Sequence, residues 1–173
     1  LLKEEVVIAT EKEEFQPAWS PDGKEIAFLE ERTTLKVVNL ESKKARTIMP
    51  GNKNYSYSDG DQHYAWSPDG KWFLVNFLQD KQWISQCGLV SSEGGKEIIN
   101  LTKSGYSSDA PKWAMDGKMM TWSSDRDGMK NDASWGGESD YYGMFFTKEA
   151  FDRYKLSKED FELLKEKEEK EKK

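Results

Sequence analysis

His63 is the only histidine in the chain, so a Ser-His-Asp relay has one place to stand, and no Gly-x-Ser-x-Gly elbow accompanies it. His63 therefore reads as a polar residue at the mouth of a strand, not as a general base. The lone Cys87 excludes an intrachain disulfide and a cysteine-built zinc cluster, and reads as a small, half-buried packing residue. No Gly-x-Gly-x-x-Gly or Walker pattern offers a phosphate cradle. Asp125, Asp127, Asp132 and Glu138 could supply oxygens to a hard cation such as Ca²⁺, but their spacing departs from an EF-hand loop, and a turn at residues 125–128 is the favoured reading. The polar loop at residues 56–61 is similar. The chain is thus expected to hold no catalytic residue, no metal and no cofactor. Its candidate interaction residues are Trp135, Asp132 and Glu138 in the 129–139 segment, together with His63.

The elements that would position these residues come from a repeat. The stretch at residues 15–28 recurs at 62–75 and, more loosely, at 109–122, and its anchoring tryptophans Trp19, Trp66 and Trp113 stand 47 residues apart each time. Each tryptophan is followed by a turn: Ser20-Pro21-Asp22-Gly23-Lys24, Ser67-Pro68-Asp69-Gly70-Lys71, and Ala114-Met115-Asp116-Gly117-Lys118. Proline sets φ at the turn, aspartate bonds its own backbone, and glycine takes positive φ, so each unit is a hairpin. Second strands are expected at 26–29, 73–77 and 119–122, third strands at 35–40, 83–90 and 141–146, and fourth strands at 45–49 and 97–101. About three four-stranded blades of an all-β partial propeller result. The three register tryptophans are read as packing between blades, while Trp72, Trp83 and Trp135 fall outside the register and are free for function.

The ends are irregular. Residues 6–10 align with 98–102, so an outer fourth strand is expected there without a blade of its own. After residue 146 the β character stops. Thr147 is placed to cap a helix over 148–154, and Ser157 to open a second one with Phe161 and Leu164 on one face. The division is therefore a partial propeller over 1–146 and a helical, highly charged tail over 147–173. Three blades fall short of the usual ring, and the rest is expected from a longer parent chain or from a second copy in a homodimer. The start at Leu1 is read as a processed or excised piece.

The net charge of −6 lies wholly on residues 1–154, which hold 25 acids against 19 bases. That is the wrong sign for a nucleic-acid partner. No apolar run is long enough to span a membrane.

The hairpin at residues 17–28 resembles the WD40-like repeat of TolB and tricorn-type propellers. The second copy departs from it with Tyr64 in place of proline, and the third with Ala114-Met115 in place of Ser-Pro. Residues 123–128 look like the family's second turn, with 129–139 inserted. That insertion, residues 140–146 and residues 149–157 are similar to the amino-terminal propeller region of bacterial tricorn-like serine proteases. The resemblance implies a propeller segment that admits peptide, releases product or docks a neighbouring domain, with the peptidase domain elsewhere. A TolB-like protein-interaction scaffold is the alternative. It also implies export to the periplasm, with a cytoplasmic setting as the second possibility.

Overall fold

The computed structural model describes residues 4–79, 82–130 and 137–171. Three antiparallel sheets follow one another along the chain, each a simple meander, so that the repeat in the sequence is a repeat in space. The first blade is β1 (Glu14–Trp19), β2 (Glu25–Glu30), β3 (Thr34–Asn39) and β4 (Ala45–Met49). The second is β5 (Tyr64–Trp66), β6 (Trp72–Leu78), β7 (Ser85–Ser91) and a two-residue β8 (Ile99–Asn100). The third is β9 (Ser108–Ala114), β10 (Met119–Ser124) and β11 (Asp140–Phe145), with no fourth strand among the described residues. The partial propeller is as expected from the hairpins.

Alternation along each middle strand decides what packs where. Ala27, Leu29, Leu35 and Val37 of the first blade meet Phe73, Val75, Phe77 and Val90 of the second. Leu74 and Cys87, on the opposite face of the second blade, meet Met120 of the third, with Trp113, Trp122 and Met144 packed around them. Each face-to-face core closes only because successive side chains point to opposite sides of a sheet.

Two of the register tryptophans do what the repeat demands. Trp66 Nε1 donates to the Ala18 carbonyl at 3.2 Å, and Trp113 Nε1 donates to the Ala65 carbonyl at 3.1 Å, each reaching back one blade. Trp19 does not. It is 63% exposed, and its indole N–H finds no acceptor among the described residues. The expectation that all three are core is corrected for Trp19.

Tyr64, the departure from proline, is also an inter-blade contact. Its hydroxyl donates to the Gln16 carbonyl at a bulge in β1 where Gln16 takes φ of 49°. The bulge in β9 is used in the same way: Ala110, at φ of 51°, donates its N–H to Asn76 Oδ1 at 3.0 Å.

Residues 6–9 form no strand, contrary to the alignment with 98–102. Ion pairs fasten this segment to the first blade, Glu5 with Lys43 at 2.8 Å and Lys12 with Glu30 at 3.1 Å. After β11, Thr147 caps α1 (Lys148–Tyr154) by accepting from the Ala150 N–H. Phe145 packs edge-on against Phe151 and at a tilt against Tyr154. Ser157 accepts from the Asp160 N–H at the start of α2 (Lys158–Glu171), and Arg153 grips Glu168 at 2.6 Å to hold the two helices together.

One ion pair ties blades as well as charges. Arg46 holds both Glu25 carboxylate oxygens at 2.6 and 2.7 Å, and its Nε donates to the Ser92 carbonyl of the second blade. The guanidinium keeps the Glu25 carboxyl below the usual carboxylate range, against its partial burial. A lowered folded-state pKa means that its stabilisation is complete above the unfolded value and is lost as pH falls through the folded one. Glu25→Gln should therefore flatten the acid limb of a melting-temperature profile below about pH 4 and cost about 1–2 kcal/mol at neutral pH, measured by calorimetry across pH.

Candidate functional site

Antiparallel meanders sort the connections onto two ends. The three hairpin turns and residues 40–44 and 92–98 lie at one end, and residues 31–33, 50–63, 82–84, 101–107, 125–130 and 137–139 lie at the other.

The loop end carries an aromatic surface. Tyr55 stands edge-on to Tyr57 at 4.6 Å and to Trp83 at 5.5 Å, and Tyr57 and Trp83 are 84% and 76% exposed. The loop under them is rigidly built. Asp61 accepts from the Tyr57 and Ser58 N–H groups and from Ser56 Oγ, while Gln62 Nε2 donates to the Tyr55 carbonyl at 2.8 Å. Against desolvation, a further bond from Gln62 Nε2 at 2.8 Å and those from Ser58, Tyr57 and Ser56 hold the Asp61 carboxyl below its ordinary range. Exposed aromatics on a fixed loop are adhesive area obtained at little entropy cost. Trp83 was singled out by its position outside the register; Tyr55 and Tyr57 carried no sequence signal beyond a polar loop.

Of the other predicted residues, His63 is exposed at this end, its carbonyl accepting from the Asn76 N–H. Glu138 is exposed at the base of the insertion, where its N–H donates to the Met129 carbonyl. Trp135 and Asp132 lie outside the described residues. Asp125 pairs with Lys130 at 3.3 Å and Asp127 accepts from the Tyr142 hydroxyl at 2.7 Å, so both act within the hairpin base. Among the described residues no three His, Cys, Asp or Glu side chains gather as metal ligands would. Cys87 is fully buried, and desolvation pushes its thiol up to about 12. It should resist a neutral disulfide reagent in the native chain and react only on unfolding, as a thiol titration with and without denaturant would record.

The turn end is electrostatically different. In the first two turns the serine hydroxyl and the lysine N–H bind the aspartate: Ser20 and Lys24 on Asp22, Ser67 and Lys71 on Asp69. Gly23 and Gly70 both take φ of 71°, which keeps these turns tight. Both carboxyls are held below their ordinary range by these bonds. In the third turn Ala114 has no hydroxyl and Met115 replaces proline, so Met115, Asp116 and Gly117 all run at positive φ. Asp116 has no hydrogen-bond or ion-pair partner among the described residues. Beneath the turns lie two clefts between blades, of 420 Å³ and 290 Å³.

No family profile and no curated protein matches the chain. Among solved structures it is similar to TolB from Acinetobacter baumannii, with 22% identity and a TM-score of 0.57 over 82% of this chain. It is also similar to the tricorn protease, at 17% identity and 0.54 over 76%, and to a prolyl endopeptidase, at 17% and 0.55 over 78%. The chain spans 32%, 13% and 20% of those proteins respectively. The likeness establishes the fold, a partial β-propeller.

Proposed function

We propose that the chain is a non-catalytic propeller segment that handles polypeptide, as part of a tricorn-like serine protease in which it governs peptide access, product exit or domain docking. The observation that supports this most is the rigid, exposed Tyr55–Tyr57–Trp83 surface, at the same end as His63 and Glu138. Aromatic surface of this kind binds extended chain with little regard to sequence. The TolB likeness favours a second reading, a periplasmic protein-interaction scaffold with no enzyme attached. Both readings place the protein in an exported setting, with the cytoplasm as the alternative.

Trp19 is exposed and the outer edge of β11 pairs with no strand among the described residues, and we read further blades as belonging to a parent chain or a second copy. A mass of twice 20.0 kDa in light scattering would favour the copy. The peptide-handling reading is tested on an immobilised peptide array. The chain should retain extended peptides and lose about tenfold in retention with Tyr57→Ser and Trp83→Ser combined, and unchanged retention in that variant would refute it. The chain should also hydrolyse none of those peptides; turnover abolished by His63→Ala would overturn the non-catalytic reading. The encoded sequence beyond Lys173 separates the protease reading from the scaffold.

A further inference from the structure

The two clefts at the turn end are equivalent places in successive repeats, with different walls. In the cleft between the first and second blades the wall includes Asp22, Glu25, Trp66, Asp69, Ser92 and Glu93. The molecule seats its own arginine against that wall, since the Arg46 guanidinium bonds Glu25 and the Ser92 carbonyl. In the cleft between the second and third blades, the aspartates of the flanking turns are Asp69 and Asp116 and the register tryptophan is Trp113. Trp72 stands 47 residues after Glu25. Phe146 replaces Ser92, each donating its N–H to the lysine carbonyl opposite, Lys118 and Lys71 respectively. Ile99 pairs with Leu89 as Arg46 pairs with Val37, so the repeat supplies no arginine for the second cleft.

We propose that this 290 Å³ cleft, walled by Trp72, Leu89, Trp113, Phe146, Asp69 and Asp116, is a subsite for a cationic side chain of a bound polypeptide, arginine above all. Three aromatic rings suit the planar face and apolar stem of a guanidinium. Asp116 supplies an uncompensated carboxylate, for the reason already evident in its turn: no serine hydroxyl occupies it. Asp69 adds a second negative charge, whose one ion-pair partner among the described residues is exposed Lys71 at 4.0 Å. The acidic body of the protein attracts the same ligand.

This subsite deepens the peptide-handling reading and rests on it, yet it can fail separately because it lies at the opposite end from the aromatic loop. The test titrates the full chain with Nα-acetyl-arginine amide, with neutral Nα-acetyl-norleucine amide as control, following indole N–H resonances by NMR. Saturable arginine binding on the order of 1 mM is expected, shifting Trp72 and Trp113 and sparing Trp83. Asp116→Asn should weaken it about threefold and Trp72→Ala about fivefold. Asp22→Asn, which alters an aspartate of the cleft that Arg46 serves and not of this one, should leave it unaltered. Equal affinity for the norleucine amide, no saturable shift, or equal weakening by Asp22→Asn would each overturn the proposal. Peptide retention by the loop end would survive any of these results.

Discussion

Trp66→Ala is expected to cost about 3 kcal/mol of folding stability, and Trp19→Ala less than about 1 kcal/mol, although the two occupy the same position of one repeat. Trp66 is half-buried in the core between the first two blades, its ring 4.1 Å from that of fully buried Phe73. Its indole N–H spends its one donor on the Ala18 carbonyl. Truncation opens a cavity and strips the carbonyl of its partner, and both effects add. Trp19 has the same backbone setting without the neighbour, so removing it exposes little that water does not already reach. Urea unfolding at constant slope would show the asymmetry as a shifted midpoint for one variant and almost none for the other. Equal losses would mean that Trp19 is covered in solution, which would point to an attached blade.

The 47-residue spacing made the blades legible, because a turn of Ser-Pro-Asp-Gly-Lys constrains backbone strongly enough to be read without neighbours. Helix α1 was equally legible from Thr147. The fate of Trp19 was not, since burial belongs to whichever blade packs against a residue, and a repeat pattern scores all copies alike. Residues 6–9 failed for the same reason. Their β-branched run suits a strand, but a strand needs a partner edge, and the pairings of Glu5 with Lys43 and Lys12 with Glu30 hold the segment elsewhere. The candidate sites were legible mainly as exceptions to the repeat. Trp72 and Trp83 stood out by lying off register, and Asp116 could have been found from the loss of its serine. Tyr55, Tyr57 and Arg46 left no mark, because Arg46 acts through Glu25 and Ser92 and the tyrosine pair through Trp83, all distant in sequence.

Asn76 is the clearest residue of that hidden class, and Asn76→Leu is expected to cost about 2–4 kcal/mol despite matching it in size. The position 47 residues earlier is Leu29 and the position 47 later is Ser123, so the repeat itself does not call for an amide here. In the fold, the Asn76 amide donates to Ser85 Oγ and to the Ser108 carbonyl at 2.9 Å each, and its Oδ1 accepts from the Ala110 N–H at the β9 bulge. Asn76 is buried, so leucine would take the acceptor from the Ala110 N–H inside the blade interface and remove one partner from the Ser108 carbonyl. Losing a buried donor costs more than a typical hydrogen bond contributes. The damage should concentrate where the second and third blades meet. Native-state hydrogen exchange in Asn76→Leu should accelerate for β9 amides well before those of β2 and β3, whose core with the second blade does not depend on this amide. Uniform acceleration across all three blades would show instead that the blades unfold as one cooperative unit, with Asn76 contributing to global stability alone.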